Sequence, residues 1–379
     1  MWRRYSGYAD AAYRTLVENW YDAGEGSWSD LRFWQQACAM HVIADYAALR
    51  PVDGILEMFR KMFQANSDNN FTVYSHQGVY DDEGWWALAW LAVHDLFKNS
   101  RISDEQEMAA DALWIAQFIF NNMSSQWTWR CNGGCCWDMP EYAISNTTAQ
   151  WTWPCGDNIP SLRPFYAPAN AEFLRYKNAI VNELFFTLAV RLYQRTNKPR
   201  FLDWAKTSLN WFNRSGMKNA CGLINDGLSS SCRNSGGAVW TYNQGVILGG
   251  LADMYKVTGD YSTYIEGGAW PLFQAVASSS LVRDNVLTES APPDDEVPQF
   301  KGVFMRYLGY LASVDPDPDG THQPEYLTFI AANANSLWLS NRNDSFFGYS
   351  WTGPFDEAGA LRQSAALDAL VVAIRLDSF

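Results

Sequence analysis

The sequence has no run of about 18 apolar residues, and it therefore predicts no helix that spans a membrane. The chain is acidic, because 41 Asp and Glu outnumber 28 Lys and Arg and the formal charge is −13. It also has no cluster of basic residues. A surface of this sign repels polyanions. Nucleic acid and acidic polysaccharides are thus poor candidate partners, and a neutral ligand is favoured.

Motifs of several enzyme classes are missing as well. There is no G-x-S-x-G nucleophile elbow, no phosphate-binding loop and no dinucleotide-binding glycine pattern. Only four histidines occur, and two of them lie in apolar, helix-like runs that are typical of core residues. These absences argue against a Ser or Cys nucleophile, and we expect neither a cofactor nor a catalytic metal ion.

Aromatic residues, by contrast, are abundant: 19 Trp, 19 Tyr and 21 Phe. Most of them are expected to fill a large core. The pairs Trp85–Trp86 and Trp151–Trp153 stand in polar, loop-like surroundings, which favour a cleft over a core. The flat face of such a ring suits the C–H face of a sugar, so a carbohydrate ligand is indicated.

Seven cysteines and five N-x-S/T sequons indicate an oxidising, secretory compartment. The sequons are at Asn70, Asn122, Asn146, Asn213 and Asn343. A helical pattern begins within a few residues of Met1, so we interpret the chain as a mature form whose leader has been removed. The expected location is the extracellular medium or a cell wall.

The cysteine spacing allows several disulfide arrangements. Cys221 and Cys232 flank a short polar stretch and are expected to pair within one loop. Four more cysteines could form two bridges in a second loop, with three possible connectivities: Cys131, Cys135, Cys136 and Cys155. Cys38 is left over in an apolar helix-like run and is predicted to stay a buried thiol.

Apolar periodicity predicts twelve helices and few strands. The predicted segments are 6–20, 31–49, 52–66, 82–98, 103–122, 176–196, 200–214, 242–257, 260–280, 297–314, 324–340 and 359–376. Twelve helices suggest six hairpins closed into an all-α (α/α)6 barrel, as one domain over residues 1–379. The loop-rich insertion 123–175, which holds the four clustered cysteines, is expected to form a wall or lid.

The even-numbered segments share a feature at their starts. Segment four opens with Tyr80–Glu83, segment eight with Trp240–Gln244 and segment ten with Phe300–Gly302, each combining polar and aromatic groups. Capping alone explains polar residues at a helix start, but it does not require large aromatics beside them. If the even helices line the barrel, their N-termini converge and these groups surround one cleft.

The run Tyr80–Trp90 places three acids before two tryptophans. As structure alone, Asp81 caps the helix and the other acids favour its dipole. As chemistry, glycosidic cleavage needs one ionised carboxylate and one protonated carboxyl group. A helix N-terminus favours ionisation of one aspartate, whose charge then disfavours ionisation of its neighbour. Asp81 and Asp82 can therefore divide the two roles.

The segment Asp315–Gly320 offers a second cluster of acids. It imitates the start of a calcium-binding EF-hand loop, but its twelfth position is Tyr326 and two prolines stiffen it. A polar loop between helices is the favoured interpretation.

The run Tyr80–Trp90 resembles the double-aspartate motif of glycoside hydrolase family 76, which comprises α-1,6-mannanases and related fungal cell-wall enzymes. Further segments resemble the family and occur in its order: Phe33–Gln35, Tyr176–Asn178 with Asn182–Glu183, Ile224–Gly227, Thr241–Gly245 and Phe300–Arg306. The resemblance implies an (α/α)6 barrel and a retaining mechanism. It implies that Asp81 is the nucleophile and Asp82 the general acid/base, with Asp226, Tyr242, Asn243 and Gln244 near the sugar.

The helix starts and the resemblance together define the candidate substrate-binding residues. They are Trp34, Tyr80, Trp85, Trp86, Asn178, Asn182, Asp226, Tyr242, Asn243, Gln244 and Lys301. The expected activity is endo-hydrolysis of α-1,6-mannan by a monomer. One alternative is a cell-wall transglycosidase acting on the mannose core of glycolipid (GPI) anchors. A non-catalytic mannan-binding wall protein is another, although the intact pair Asp81 and Asp82 argues against it.

Overall fold

The computed structural model describes residues 2–67, 79–125, 127–128, 130–135, 176–289 and 291–376. This part of the chain holds twelve α-helices, the number that periodicity predicts. They are α1 (Trp2–Trp20), α2 (Phe33–Ala47), α3 (Ile55–Ser67), α4 (Tyr80–Phe97), α5 (Ser103–Ser125), α6 (Ala179–Thr196), α7 (Pro199–Ser215), α8 (Thr241–Thr258), α9 (Trp270–Ala277), α10 (Phe300–Val314), α11 (His322–Ser340) and α12 (Ala360–Leu376). A π-helix (Ser262–Ala269) leads into α9, and a 3-10 turn (Val297–Gln299) leads into α10.

The even-numbered helices form a closed inner ring. Each packs against the next even helix, and α12 returns to pack against α2. These helices are buried on nearly all sides; in α6, for example, every residue from Ala179 to Val190 is buried. The odd-numbered helices lie outside, and α5 buries only one stripe that includes Met108, Ala112, Ile115 and Ile119. The predicted all-α (α/α)6 barrel is confirmed.

Small residues let neighbouring inner helices approach closely. A Cβ added at Gly245 of α8 would stand 2.6 Å from the backbone of Phe304 in α10. A Cβ at Gly302 of α10 would stand 2.5 Å from the Cα atom of Ala365 in α12. Both contacts lie near the starts of these helices, so the glycines set the width of the barrel at the end where the polar and aromatic groups collect.

The described residues include four antiparallel pairs of two-residue strands, which lie between the helices. They are β1 (Tyr21–Asp22) with β2 (Ser27–Trp28), β3 (Lys177–Asn178) with β4 (Gly227–Leu228), β5 (Val282–Arg283) with β6 (Val286–Leu287), and β7 (Arg342–Asn343) with β8 (Phe346–Phe347). The pair β3–β4 joins segments about fifty residues apart. It brings the loop before α8 beside the start of α6.

The disulfide prediction for Cys221 and Cys232 is wrong. Cys232 pairs with Cys131, with the sulfur atoms 2.06 Å apart, whereas Cys221 is a free, exposed thiol. Cys135 is a free, buried thiol, so it does not join a bridge with Cys131. Cys136 and Cys155 lie outside the described residues, as do Trp151, Trp153 and the rest of the insertion from 136 to 175. Cys38 is a buried free thiol, as predicted.

A buried lysine explains why Cys131 meets Cys232. The ammonium of Lys177 donates to Thr128 Oγ1 at 2.9 Å and to the carbonyl oxygens of Gly133 and Gly134 at 2.5 and 2.7 Å. The loop around Cys131 is thereby fixed to β3, and β3 pairs with β4, a few residues before Cys232. Sequence distance did not reveal this contact, because it depends on three segments meeting.

We expect the Cys131–Cys232 disulfide to stabilise the fold. It closes a loop of 101 residues, and crosslinks of this span restrict the unfolded chain strongly. Replacing both cysteines with serine should lower the free energy of unfolding by about 2–4 kcal/mol. Denaturant titration would measure the change, with Cys221→Ser as the matched control because that thiol is exposed and unbridged. Equal stability of the two variants would contradict the prediction.

The remaining sequence features occupy loops and surfaces. Asp315 accepts from His322 Nδ1 at 2.8 Å and from the Tyr326 hydroxyl at 3.1 Å, so its carboxylate anchors α11. Asp317 accepts three backbone N–H groups at the start of α11, which is the polar-loop role favoured above. Asn213 and Asn343 are exposed. Among the described residues, no helix is both long and apolar enough to cross a membrane.

Candidate active site

The starts of four inner helices meet at one end of the barrel. Trp34 of α2, Trp85 of α4, Tyr242 of α8 and Phe300 of α10 form a closed aromatic quartet. Successive ring centroids are 5.9 Å (Trp34–Trp85), 6.3 Å (Trp85–Tyr242), 4.0 Å (Tyr242–Phe300) and 6.2 Å (Phe300–Trp34) apart. The predicted convergence of helix N-termini is therefore present. The quartet forms an apolar floor, and Tyr242 is its most exposed member.

Asp81 lies beside this floor in the first turn of α4. The N-cap of α4 is Val79, so Asp81 is not the cap that the sequence suggested. Its Oδ1 accepts the backbone N–H of Asp82 at 3.2 Å, and its Oδ2 accepts from Asn178 Nδ2 at 3.3 Å. Both donors, and the helix N-terminus itself, favour a negative charge on this partly exposed carboxylate.

Asp82 has the opposite environment. Its side chain is 5% exposed, and its Oδ2 is buried with no hydrogen-bond partner among the described residues. Burial raises the pKa of Asp82 well above its usual value, and the charges of Asp81, Glu296 and Glu83 raise it further against the smaller effect of Arg32. The sequence predicted unequal protonation of the pair. The environment of Asp82 favours its protonated form, in line with that expectation.

Further carboxyl groups act electrostatically on the hydroxyl of Tyr242. Burial raises the pKa of Tyr242, and the charges of Asp226, Asp81, Glu183 and Glu296 raise it further. Each of these four groups is thus close enough to the Tyr242 hydroxyl for its charge to act there. Those of the four that are ionised can stabilise the positive charge that develops on a sugar ring during glycosidic cleavage.

Asp226 is held at this rim by two aromatic donors. The hydroxyl of Tyr176 donates to its Oδ2, and the side chain of Trp240 donates to the same carboxylate. Burial nevertheless raises the pKa of Asp226, with the two hydrogen bonds opposing that rise. Asp226 is therefore held in a fixed position between the segments that lead into α6 and α8.

Glu296 and Arg32 are site residues that the sequence reasoning missed. Arg32, at the N-cap of α2, donates from Nη1 to Glu296 Oε1 at 2.9 Å and from Nη2 to Asp295 Oδ2 at 2.7 Å. The charge of Glu296 acts on both Asp82 and Tyr242. The signal available in the sequence was the acidic run Asp294–Glu296 directly before a helix of the inner ring.

Two predicted sugar-binding amides instead hold loops. Asn182 accepts the backbone N–H of Cys135 at 2.8 Å and donates to the carbonyl oxygens of Cys135 and Asn178. Gln244 accepts the N–H of Ile224 at 2.8 Å and donates to the carbonyl oxygens of Ile224 and Trp240. Each amide uses both of its N–H donors and accepts one hydrogen bond within the protein, so it fixes a neighbouring loop and has no N–H group left to donate to a sugar.

Two other candidates lie away from the floor. Trp86 packs against Phe33 and Trp90 at centroid distances of 5.2 and 6.3 Å, outside the quartet. Lys301 is buried, donates to the carbonyl oxygen of Tyr349 at 2.6 Å and stands over the ring of the same residue. Burial lowers the pKa of Lys301 to about 8. Both side chains therefore support the walls of the cleft.

Asn243 lies in the wall between α8 and α6. The neighbouring turn is fixed by Thr187, whose hydroxyl donates to the carbonyl oxygen of Val246 at 3.3 Å. One helical turn nearer the mouth lie Glu183 and Asn243, both fully buried with no side-chain hydrogen-bond partner among the described residues. Burial raises the pKa of Glu183, which favours its neutral form. Tyr80 is buried at the start of α4, beside Asp81.

The sequence profile of glycosyl hydrolase family 76 matches residues 5–152 and 167–376. The chain belongs to this family. It is thus a glycoside hydrolase, and the resemblance carried by Tyr80–Trp90 is confirmed at the level of the whole chain.

Relatives agree with this assignment, and solved structures share the fold. The chain is similar to the mannan endo-1,6-α-mannosidases of Candida albicans (23% identical, covering 84% of this chain and 67% of the relative) and of Saccharomyces cerevisiae (24%, covering 95% and 76%). An inactive variant of the α-1,6-mannanase of Salegentibacter, solved with α-1,6-mannotetrose, superposes with a TM-score of 0.75 at 18% identity over 98% of this chain and 99% of that one. Dfg5 of Chaetomium thermophilum, solved with glucosamine, superposes with a TM-score of 0.76 at 18% identity over 97% of this chain and 89% of that one.

Proposed function

We propose that this family 76 enzyme cleaves α-1,6-mannosidic linkages of fungal or yeast-type mannan with retention of configuration. The observation that carries the proposal is the pair Asp81 and Asp82, consecutive residues with opposite environments beside an aromatic floor. Asp81 is the nucleophile, because hydrogen-bond donors and the helix N-terminus stabilise its charge. Asp82 is the general acid/base, because burial and neighbouring charges keep its proton.

The reaction proceeds in two steps. The Asp81 carboxylate forms a bond to the anomeric carbon while the glycosidic C–O bond breaks, and Asp82 gives its proton to the departing oxygen. Asp82, now ionised, takes a proton from an acceptor that attacks the anomeric carbon and releases Asp81. Water as acceptor completes hydrolysis, whereas a sugar hydroxyl completes transfer. Two inversions leave the product with the configuration of the substrate.

The substrate class follows from the walls of the cleft and from the relatives. The carboxyl groups around Tyr242 disfavour an acidic polysaccharide, whereas the aromatic floor suits a neutral pyranose. The relatives named above act on mannan endo-1,6-α linkages, and the Salegentibacter enzyme was made inactive by replacing two consecutive aspartates. We assign the same linkage to this chain.

Transfer to a sugar acceptor, including the mannose core of a glycolipid anchor, is the second candidate activity. It uses the same two aspartates, and Dfg5, a neighbour in fold, was solved with an amino sugar rather than a mannoside. Extracellular or cell-wall location accords with the disulfide and with the two exposed sequons at Asn213 and Asn343. We take the barrel as one catalytic domain and as a monomer.

The test is to incubate the protein with linear α-1,6-manno-oligosaccharides and to follow product anomers by NMR. We expect new reducing ends that appear first as α-anomers. Initial β-anomers would overturn retention, and binding without any turnover would show a mannan-binding protein instead. Chimeric products formed when a second glycan is added, without new reducing ends, would assign the transferase reaction.

A further inference from the structure

A second cavity lies at the opposite end of the barrel from the aromatic quartet. It has a volume of about 710 Å³ and is lined by the C-terminal halves of the inner helices, including His41 of α2, Asp95 of α4, Arg191 of α6, Asp253 of α8 and Tyr310 of α10. Asp82 and Asp95 are both in α4, and a rise of about 1.5 Å per residue separates them by roughly 20 Å along its axis. The cavity is thus separate from the candidate active site, and its size is typical of a small-molecule site.

The charge of this cavity is opposite to that of the whole chain. Its lining includes six basic side chains: Lys98, Arg191, Arg195, Lys256, Arg306 and Arg375. Three carboxylates share the lining: Asp45, Asp95 and Asp253. Basic groups at helix C-termini are common because they complement the helix dipole. In a chain with a formal charge of −13, however, an excess of basic over acidic side chains in one cavity is more than the helix dipoles require.

The carboxylates do not occupy all the donors. Arg195 uses its three nitrogens on Asp95 and on the carbonyl oxygen of Arg191. Among the described residues, Arg191 donates only from Nε, to Asp253 at 2.8 Å, and its guanidinium carbon lies 5.3 and 5.2 Å from the ring centroids of Tyr307 and Tyr310. Arg191 therefore keeps a forked pair of donors next to the cavity.

Two buried donors on the cavity wall have no partner among the described residues. Arg306 gives Nε and Nη2 to Asp368 and to the carbonyl oxygen of Cys38, but its Nη1 is buried and unpaired. The hydroxyl of Tyr307 is likewise buried and unpaired. A buried donor without a partner is costly, and helix capping does not account for either group.

The pKa of His41 reflects its burial and the positive charges around the cavity. Burial lowers the pKa of its imidazole, and the charges of Arg306, Arg191, Arg375 and Arg195 lower it further. Four guanidinium groups thus act on one point of the wall.

We propose that this cavity binds a small oxyanion of the phosphate or sulfate class, held by Arg306 Nη1, the Tyr307 hydroxyl and the terminal nitrogens of Arg191. Guanidinium groups match the geometry of such oxygens, and a partly enclosed site strengthens each charged hydrogen bond. The proposal is independent of the reaction at the other end of the barrel, since no catalytic group lines this cavity.

Calorimetric titration of the full chain tests the proposal. The probes are sodium phosphate, sodium sulfate and a hexose 6-phosphate, each compared with sodium chloride at equal ionic strength. We expect saturable binding of one anion per chain. If the hexose phosphate binds more tightly than phosphate, the ligand is an organic phosphate. If the two bind with equal affinity, the ligand is a free oxyanion. Heats no larger than those of chloride for all three probes would overturn the proposal.

Isosteric variants locate the site. Tyr307→Phe removes one donor and no volume, so it should weaken binding about tenfold while leaving the melting temperature in chloride unchanged or higher. Lys256→Gln should also weaken binding, whereas Lys206→Gln on the exposed face of α7 should not. Unchanged affinity in both cavity variants would place the anion elsewhere and overturn the assignment.

Discussion

Replacing Asp81 with asparagine is expected to lower kcat on linear α-1,6-mannan by a factor on the order of 10⁴. Asparagine keeps the shape of the side chain, and its single oxygen can still accept one of the two hydrogen bonds, from the N–H of Asp82 or from the amide of Asn178. It cannot form the covalent bond to the anomeric carbon, so the first step of the proposed reaction is lost. Affinity for manno-oligosaccharides should change little, because the aromatic floor is intact. Steady-state rates and equilibrium binding measure the two effects separately.

The matched control is Asp203→Asn, which removes an exposed carboxylate of α7 and should leave kcat unchanged. A second variant, Asp81→Ala, distinguishes a nucleophile from a positioning residue. Azide can occupy the space vacated by the carboxylate and attack the same face of the sugar, so it should restore turnover of an activated α-mannoside and yield a β-mannosyl azide. Wild-type kcat in Asp81→Asn would refute the assignment, and an α-azide would refute the role of Asp81 at that face.

Much of the fold follows from the sequence because the inner helices carry an unusual signal. Helix α8 is apolar on nearly every side, and its predicted bounds of 242–257 differ by one residue at each end from Thr241–Thr258. A helix that is buried all round must be enclosed by others, whereas α5 shows a single apolar stripe. Alternation of these two kinds of helix is sufficient to predict a ring. The start of α1 was missed by four residues, because its first turn has no apolar pattern.

The roles of individual site residues were harder to predict. Asn182 and Gln244 stand at helix starts, where an amide that binds a sugar and an amide that fixes a loop have the same sequence position. The two roles are distinguished only by the structure, in which the backbone of Cys135 lies against Asn182 and the backbone of Ile224 against Gln244. The partner of Cys232 is hidden for the same reason, since the approach of Cys131 depends on Lys177.

Asp82→Asn is expected to reveal a dependence on the leaving group. On mannan, kcat/KM should fall by about 10²–10⁴-fold, which is the usual contribution of a general acid. On an aryl α-mannoside whose phenolate departs without a proton, kcat/KM should stay within about tenfold of the wild type, since Asp81 still attacks. Equal losses on both substrates would contradict an acid role and indicate that Asp82 only positions Asp81.

The pH profile gives an independent measure of the same residue. The acid must be protonated, so activity is lost as pH rises through the pKa of Asp82. Because burial and nearby negative charges raise that pKa, the loss should occur at higher pH than for an ordinary aspartate. Glu296→Gln removes one of those charges and should move the loss to lower pH. Asp295→Asn is the matched control: it pairs with the same Arg32, but its side chain is mostly exposed and its charge is not among those acting on Asp82. If both variants shifted the profile equally, release of Arg32 rather than the charge of Glu296 would set the protonation of Asp82.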